Sequence, residues 1–384
     1  MFISSEFDAG NIKVISVDSH ENIQLEISKD NNSDFYQWFY FRLSGAKGSS
    51  CTLKILNAAE AAYPLGFHDY RVNYSYDRQN WLRHPTSLHD GVLSFEFTPA
   101  QDCVYFAYFA PYAMERHHDL IASAQRSEYC SHVHLGTTLD GQDIDLLKLS
   151  NNDNRPNKAK CWLIARQHPG ETMAQWWMEG VVDLLNLRDT DGGSLDKRLA
   201  ELLTLADIYL VPNMNPDGSR RGHLRTNAIG RNLNREWDTP QIASCPEVFH
   251  VKNAMQKIGV DFLLDIHGDE SLPYCFIAGT EGLSDWGEAQ QRQLDFYKQT
   301  LVALNPDFQI DRGYPPKPPG TANMGMSTAA TASIHACLAM TLEMPFKDTI
   351  DTPDSLYGWS PARSKRLAHS CLEALTAYLR SGLF

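Results

Sequence analysis

The chain has 384 residues, 43% of them hydrophobic, and a formal net charge of −13 at pH 7. At roughly 150 residues per domain the length suggests two domains, or one with a large addition. The acidic balance, with no dense Lys/Arg tract, argues against a nucleic-acid or anionic-membrane partner.

Eight cysteines are scattered at 51, 103, 130, 161, 245, 275, 337 and 371 without C-x-x-C spacing. That pattern argues against a zinc ribbon or a dense disulfide framework. The start, Met1 to Gly10, turns polar before a leader's apolar core could form, and no run reaches the 18 or more apolar residues of a membrane span. These readings together lead to the expectation of a cytoplasmic protein with reduced thiols and no membrane partner.

Up to about residue 120 the pattern is short, alternating and aromatic-rich. Ile12 to Val17, Asn22 to Ser28, Trp38 to Leu43, Cys51 to Leu56, Tyr70 to Ser75, Gly91 to Phe97 and Val104 to Phe109 read as strands. Turn clusters such as Asp30-Asn31-Asn32-Ser33 separate them, which predicts an antiparallel β-sandwich domain over residues 1–122. The dense aromatics from Phe35 to Phe41 read as sheet packing rather than a ligand-stacking surface. His117-His118 reads as an exposed connector.

After this connector the pattern changes. Val133 to Leu149 reads as a hairpin around Asp140-Gly141, and Ser150 to Lys160 as a polar loop. Strand and helix signals then alternate: Cys161 to Ala165 strand, Thr172 to Leu187 helix, Ile208 to Pro212 strand, Pro246 to Ile258 helix. Phe262 to His267 strand, Glu288 to Leu304 helix, Cys337 to Glu343 strand and Pro361 to Leu379 helix complete the series. The alternation predicts an α/β domain over 123–384, with a mainly parallel mixed central sheet flanked by helices. Ligands of such sheets sit beyond the C-terminal ends of the strands.

The residues with chemical potential fall at those ends. The apolar run from Cys161 stops at a Pro-Gly turn bracketed by His168 and Glu171, and His267 ends a later strand. Two close donors and one distant donor suit catalytic zinc with a position left for water. Read alone, Glu171 is equally a helix-capping acid. Asp265, on the same strand face as His267, would orient an imidazole or cap a neighbouring loop. Asn213 to Gly218 opens another turn, for which a simple Asn-Pro-Asp-Gly turn is an alternative. Arg225, Asn234 and Arg235 suit carboxylate recognition, whereas Arg220, Arg221 and Arg231 read as a solvated basic loop. Glu343 ends an apolar run, where a charge needs a use as a base or an arginine partner.

His-Pro-Gly-Glu, Asn-Pro-Asp-Gly, Arg225 followed by Asn234-Arg235, the strand-terminal His267 and Leu-Glu-Met-Pro occur here in that order. The set resembles the zinc carboxypeptidase (funnelin) family. The N-terminal Trp38-Phe39-Tyr40-Phe41-Arg42 and Cys103 to Tyr108 look like the sandwich of its cytosolic branch. The resemblance implies one Zn²⁺ held by His168, Glu171 and His267, with Glu343 as general base and Arg225 polarising the scissile carbonyl. It also implies that Asn234 and Arg235 grip the terminal carboxylate of a peptide or protein substrate. Many members carry a mobile tyrosine shortly before the base. No tyrosine lies between Tyr314 and Glu343 here, so Tyr314, in its Pro-rich loop, is the candidate for that substrate-binding role, with packing against the rim as the alternative. The branch tends to release acidic residues; Arg312 and Lys317 are basic candidates by composition, and surface exposure is the alternative for both. The competing enzymatic reading is a zinc amidohydrolase that deacylates N-acyl amino acids, and a noncatalytic binding protein is the third.

Overall fold

The computed structural model describes residues 1–151, 157–186 and 195–384. Residues 152–156 of the expected polar loop, and Leu187 at the expected helix end, lie outside the described residues. The first part of the chain forms β1 (Phe2–Ser4), β2 (Lys13–Ser16), β3 (Ile23–Glu26), β4 (Tyr40–Ser44), β5 (Cys51–Ile55), β6 (Arg71–Ser75), β7 (Leu82–Pro85), β8 (Ser87–His89), β9 (Val92–Phe97) and β10 (Cys103–Ala107). They build two five-stranded sheets, in the orders β1-β4-β10-β6-β7 and β2-β3-β5-β9-β8. Every pairing is antiparallel except β3 with β5.

The two sheets pack through aromatic edges. Phe106 of β10 meets Phe95 and Phe97 of β9 at ring separations of 5.2 and 5.1 Å. Such edge and tilted contacts each add about 0.5–1.5 kcal/mol beyond the area they bury. Tyr36, Trp38, Phe39, Tyr40 and Phe41 are all buried, so the aromatic run is core. Phe35 is only half-buried.

The remaining chain forms α1 (Met114–Ala124), β11 (Cys130–Thr137), β12 (Asp143–Leu149), β13 (Ala159–Ala165), α2 (Thr172–Asn186), α3 (Lys197–Leu203), β14 (Ala206–Val211), α4 (Pro216–Arg221), α5 (Pro246–Ile258), β15 (Phe262–Asp269), β16 (Phe276–Ala278), α6 (Glu288–Leu304), α7 (Ser327–His335), β17 (Leu338–Pro345) and α8 (Pro361–Arg380). The sheet order is β11-β12-β14-β13-β15-β17-β16. β14, β13, β15 and β17 run parallel, with antiparallel strands at both edges. The chain steps from β13 to β14 on one side and then to β15 on the other. That reversal opens a crevice at the strands' C-terminal ends.

The connector reading of His117-His118 is wrong. Both residues lie in α1, whose buried side carries Met114, His117, Leu120, Ile121 and Ala124 at helical spacing. His117 is buried with Nε2 2.9 Å from Asp145 Oδ2 and Nδ1 2.9 Å from the Gln175 amide, while His118 faces solvent. Asn-Pro-Asp-Gly is likewise more than a turn. Asn215 caps α4 by accepting from Gly218 N–H at 3.0 Å, with Pro216 at the first helical position. All eight cysteines are unpaired. Among the described residues no helix is long and apolar enough to cross a membrane.

Glu247, in the first turn of α5, is fully buried, and neither carboxylate oxygen has a hydrogen-bond partner among the described residues. Burial, reinforced by Asp217 and Asp140, pushes its carboxyl up to about 8. The attraction of the Asn227 amide, which donates to the Ser244 carbonyl, offsets only part of this. An acid whose folded value exceeds its ordinary 4.5 takes up a proton on folding. Its contribution is therefore present below pH 4.5 and lost as pH rises towards 8, by up to a few kcal/mol at roughly 1.4 kcal/mol per pH unit. Relative to the native chain, Glu247→Gln gains a few degrees in Tm between pH 5 and pH 8. Thermal unfolding across that range checks this, and a pH-independent difference would count against it.

Candidate metal centre and active site

The loop between β13 and α2 is bent by Arg166, which holds φ at +60°. That left-handed conformation costs about 1–2 kcal/mol for a residue with a Cβ. The buried guanidinium offsets it by donating to the Pro169 carbonyl at 3.0 Å, the Tyr112 carbonyl at 2.7 Å and Gln175 Oε1 at 2.5 Å. The bend turns His168 and Glu171 towards the end of β15.

Glu171 lies between two imidazoles. Its Oε1 is 2.7 Å from His168 Nδ1, and its Oε2 is 2.8 Å from His267 Nδ1. The three side chains are buried, with one potential ligand atom from each within 4.8 Å of the others. Each outer nitrogen is also engaged: His168 Nε2 is 3.1 Å from Asn232 Oδ1, and His267 Nε2 is 2.9 Å from Asp265 Oδ2. Asp265 in turn accepts from Gln167 Nε2 at 2.6 Å and from the Ser327 hydroxyl.

Two inward imidazole nitrogens and a carboxylate form a donor set that zinc takes, and the carboxylate behind His267 is the usual orienting partner. Burial, aided by Arg225, pushes His168 down to about 4, leaving a neutral imidazole. Burial opposes the charge on Glu171, but the two imidazoles hold it ionised. Burial also opposes protonation of His267, yet Asp265 and Glu171 overcome this and raise it. These residues fit a dication, whose charge would replace the proton that the cluster otherwise attracts.

Glu343 of β17 is the register partner of His267 and is buried. Among the described residues its Oε2 has no hydrogen-bond partner and no arginine pairs with it, which counts against the structural ion-pair reading. Its Oε1 receives only a long contact, 3.4 Å, from the Tyr314 hydroxyl. Burial, supported by Glu171, Asp269 and Glu270 and opposed by His267, holds its carboxyl well above the usual carboxylate range. The cluster opens into a cavity of about 900 Å³ at the sheet's C-terminal edge. Residues 3–109 match the cytosolic carboxypeptidase N-terminal domain family, and residues 117–349 match the zinc carboxypeptidase family.

The chain belongs to the zinc carboxypeptidase family. It is therefore a peptidase, of a family that acts on peptide C-termini. It is 49% identical over 373 residues to an uncharacterized protein of Zymomonas mobilis, covering 97% of this chain and 95% of that one. A metallo-carboxypeptidase from Burkholderia cenocepacia is 42% identical, with a TM-score of 0.95 and 99% of both chains covered. A metallo-carboxypeptidase from Pseudomonas aeruginosa, solved with (2-guanidinoethylmercapto)succinic acid, is 41% identical with a TM-score of 0.93. That superposition covers 99% of this chain and all of the other.

In this zinc carboxypeptidase all eight site residues expected from sequence border the one cavity: His168, Glu171, Arg225, Asn234, Arg235, His267, Tyr314 and Glu343. The Arg225 guanidinium makes no side-chain hydrogen bond among the described residues, and its Cζ lies 5.5 Å from the ring centres of both Phe35 and Tyr63. Asn234 Oδ1 accepts from Ser327 N–H at 2.9 Å, and its Nδ2 is 3.4 Å from His267 Nε2. Arg235 is exposed to the cavity, with one N–H on the Asn234 carbonyl at 2.6 Å. The Tyr314 hydroxyl donates to Asp269 Oδ2 at 2.5 Å, and its ring stands edge-on to Phe276. Arg312 pairs with Asp351 and lies over the Tyr274 ring, whereas Lys317 is exposed at the rim.

Sequence reasoning missed Asp269, Glu270 and Tyr63, which also line the cavity. Burial and the neighbouring Glu171 drive the Glu270 carboxyl up, while Arg225 opposes them. For Asp269 and Glu270 the only sequence signal was their place directly after the strand-terminal His267-Gly268; Tyr63 carried none.

Proposed function

We propose that this enzyme is a zinc-dependent metallocarboxypeptidase that hydrolyses the last peptide bond of a peptide or protein, with one zinc per chain held by His168, Glu171 and His267. The observation that carries the reading is Glu343: a buried carboxylate with a free oxygen, in register with a ligand-bearing residue and open to the same cavity. When bound, zinc lowers the pKa of its water from about 15.7 to near 7. Glu343 would accept that water's proton and return it to the leaving amine. Arg225 donates to the oxyanion that develops on the scissile carbonyl. Asn234 and Arg235 take the terminal carboxylate, and Tyr314 closes over the substrate from the Pro-rich loop.

The matched sandwich family favours peptides over N-acyl amino acids, whose deacylation is the competing activity. We further propose a division into residues 1–122 and 123–384, and a cytoplasmic location in keeping with the cytosolic family of residues 3–109. The test is to compare a free-acid peptide, its C-terminal amide and an N-acyl amino acid as substrates, before and after chelation and zinc return. The expected result is metal-dependent hydrolysis of the free-acid peptide alone. Faster turnover of the N-acyl amino acid, or full activity after complete metal removal, would overturn the reading.

A further inference from the structure

The loop carrying Arg225 is held from the other body of the molecule. Asp30, in the turn after β3, is buried, and its carboxylate accepts four hydrogen bonds from that loop. Leu224 N–H reaches Oδ1 at 2.6 Å; Arg225 N–H and Thr226 N–H reach Oδ2 at 2.8 Å each, with the Thr226 hydroxyl at 3.0 Å. Successive amides converging on one carboxylate form a charge-assisted anchor.

The seam continues on both sides of this anchor. Asn31 N–H donates to His223 Nε2 at 3.2 Å, and the Asn11 amide donates to the Gly222 carbonyl at 2.9 Å. Gly222 ends α4 at φ +69°, and a Cβ there would sit 2.6 Å from the Gly10 carbonyl oxygen. Only glycine fits so close an approach in that conformation.

The side chain of Arg225 is held by the same body. Phe35 and Tyr63 both come from the sandwich, and Tyr63 is fixed by buried Gln37, which bonds both its N–H at 2.8 Å and its carbonyl at 2.9 Å. A carboxylate partner would occupy the guanidinium's donors and cancel its charge. Aromatic faces hold it by cation–π attraction and leave all its N–H groups free for a substrate oxygen.

We propose that the N-terminal sandwich is a working part of the active site, in which Asp30, Phe35 and Tyr63 are positioning residues for Arg225. This deepens the carboxypeptidase reading and rests on Arg225 being the oxyanion donor. The test uses the full-length, zinc-loaded enzyme and a free-acid peptide. Asp30→Asn and Tyr63→Leu each lower kcat by about 10- to 100-fold, with KM and zinc content changed little. Tyr63→Phe, which keeps the ring, restores most of what Tyr63→Leu loses. In an Arg225→Ala background, Asp30→Asn and Tyr63→Leu have no further effect, as expected of residues that act through Arg225.

Equal losses in the two backgrounds would overturn the proposal while leaving the carboxypeptidase reading intact. So would a Tyr63→Phe loss as large as that of Tyr63→Leu, which would mark the hydroxyl as the working group. Undiminished activity of Arg225→Ala alone would remove the donor role and this proposal together. The Tyr63 variants decide the matter by themselves if Asp30→Asn yields no folded protein.

Discussion

Glu343→Gln is expected to lower kcat by about 10²- to 10⁴-fold, the range associated with a lost general base, while KM stays within a few-fold. The substitution preserves volume and one acceptor oxygen, so the packing of β17 is little disturbed. It removes the one carboxylate oxygen at this position that has no protein partner. An amide cannot accept the water's proton, and it places a donor where a basic group is needed. The His168, Glu171 and His267 cluster does not depend on Glu343 for any hydrogen bond, so zinc content is expected to stay at one per chain. Steady-state kinetics with parallel metal analysis checks both parts. A variant within tenfold of the native rate would exclude Glu343 as the base; loss of zinc would mean that the change acted on the metal cluster instead.

Arg235→Ala is expected to abolish the preference for a free C-terminal carboxylate. Arg235 lies at the cavity with no carboxylate partner of its own among the described residues, and Arg225 beside it lowers its pKa after burial has done so. The Arg235 charge is thus disfavoured until an anion arrives. Losing one partner of a desolvated charge pair costs about 2–5 kcal/mol, or roughly 30- to several thousand-fold. The native enzyme should therefore favour a free-acid peptide over its amide by about that factor in kcat/KM, and Arg235→Ala should bring the ratio close to one. Arg235→Lys should recover only part of it, because an ammonium cannot present the paired donors of a guanidinium. An unchanged acid-to-amide ratio in Arg235→Ala would place carboxylate recognition elsewhere.

The parts of the site legible in sequence are those where one short segment carries both the fold signal and the chemistry. An apolar run halted by Pro-Gly announced the turn holding His168 and Glu171, and the two-residue spacing put Asp265 on the same strand face as His267. The period-2 aromatic pattern announced the sandwich. What escaped depended on long-range encounter. Asp30 looked like any turn aspartate, because its partners lie about two hundred positions away in sequence. Glu270 needed knowledge of which way the chain leaves β15. In α1 the eye-catching His117-His118 pair obscured the helical spacing of the apolar residues around it. The short strands β1, β7, β8 and β16 have three or four residues each, too few for a periodic pattern to register.

The central sheet is completed by insertion rather than by addition at an edge, since β17 enters between β15 and β16. This gives the site an order of assembly during synthesis, because a chain folds as it emerges from its N-terminus. Once β15 has emerged, the nascent polypeptide already holds His168, Glu171 and His267, together with Asp30 and Arg225. The proposed base is still some seventy-five residues from being made. On the proposed roles, the growing chain would carry its three metal-holding side chains well before its base, and the strand that closes the sheet would also complete the catalytic set.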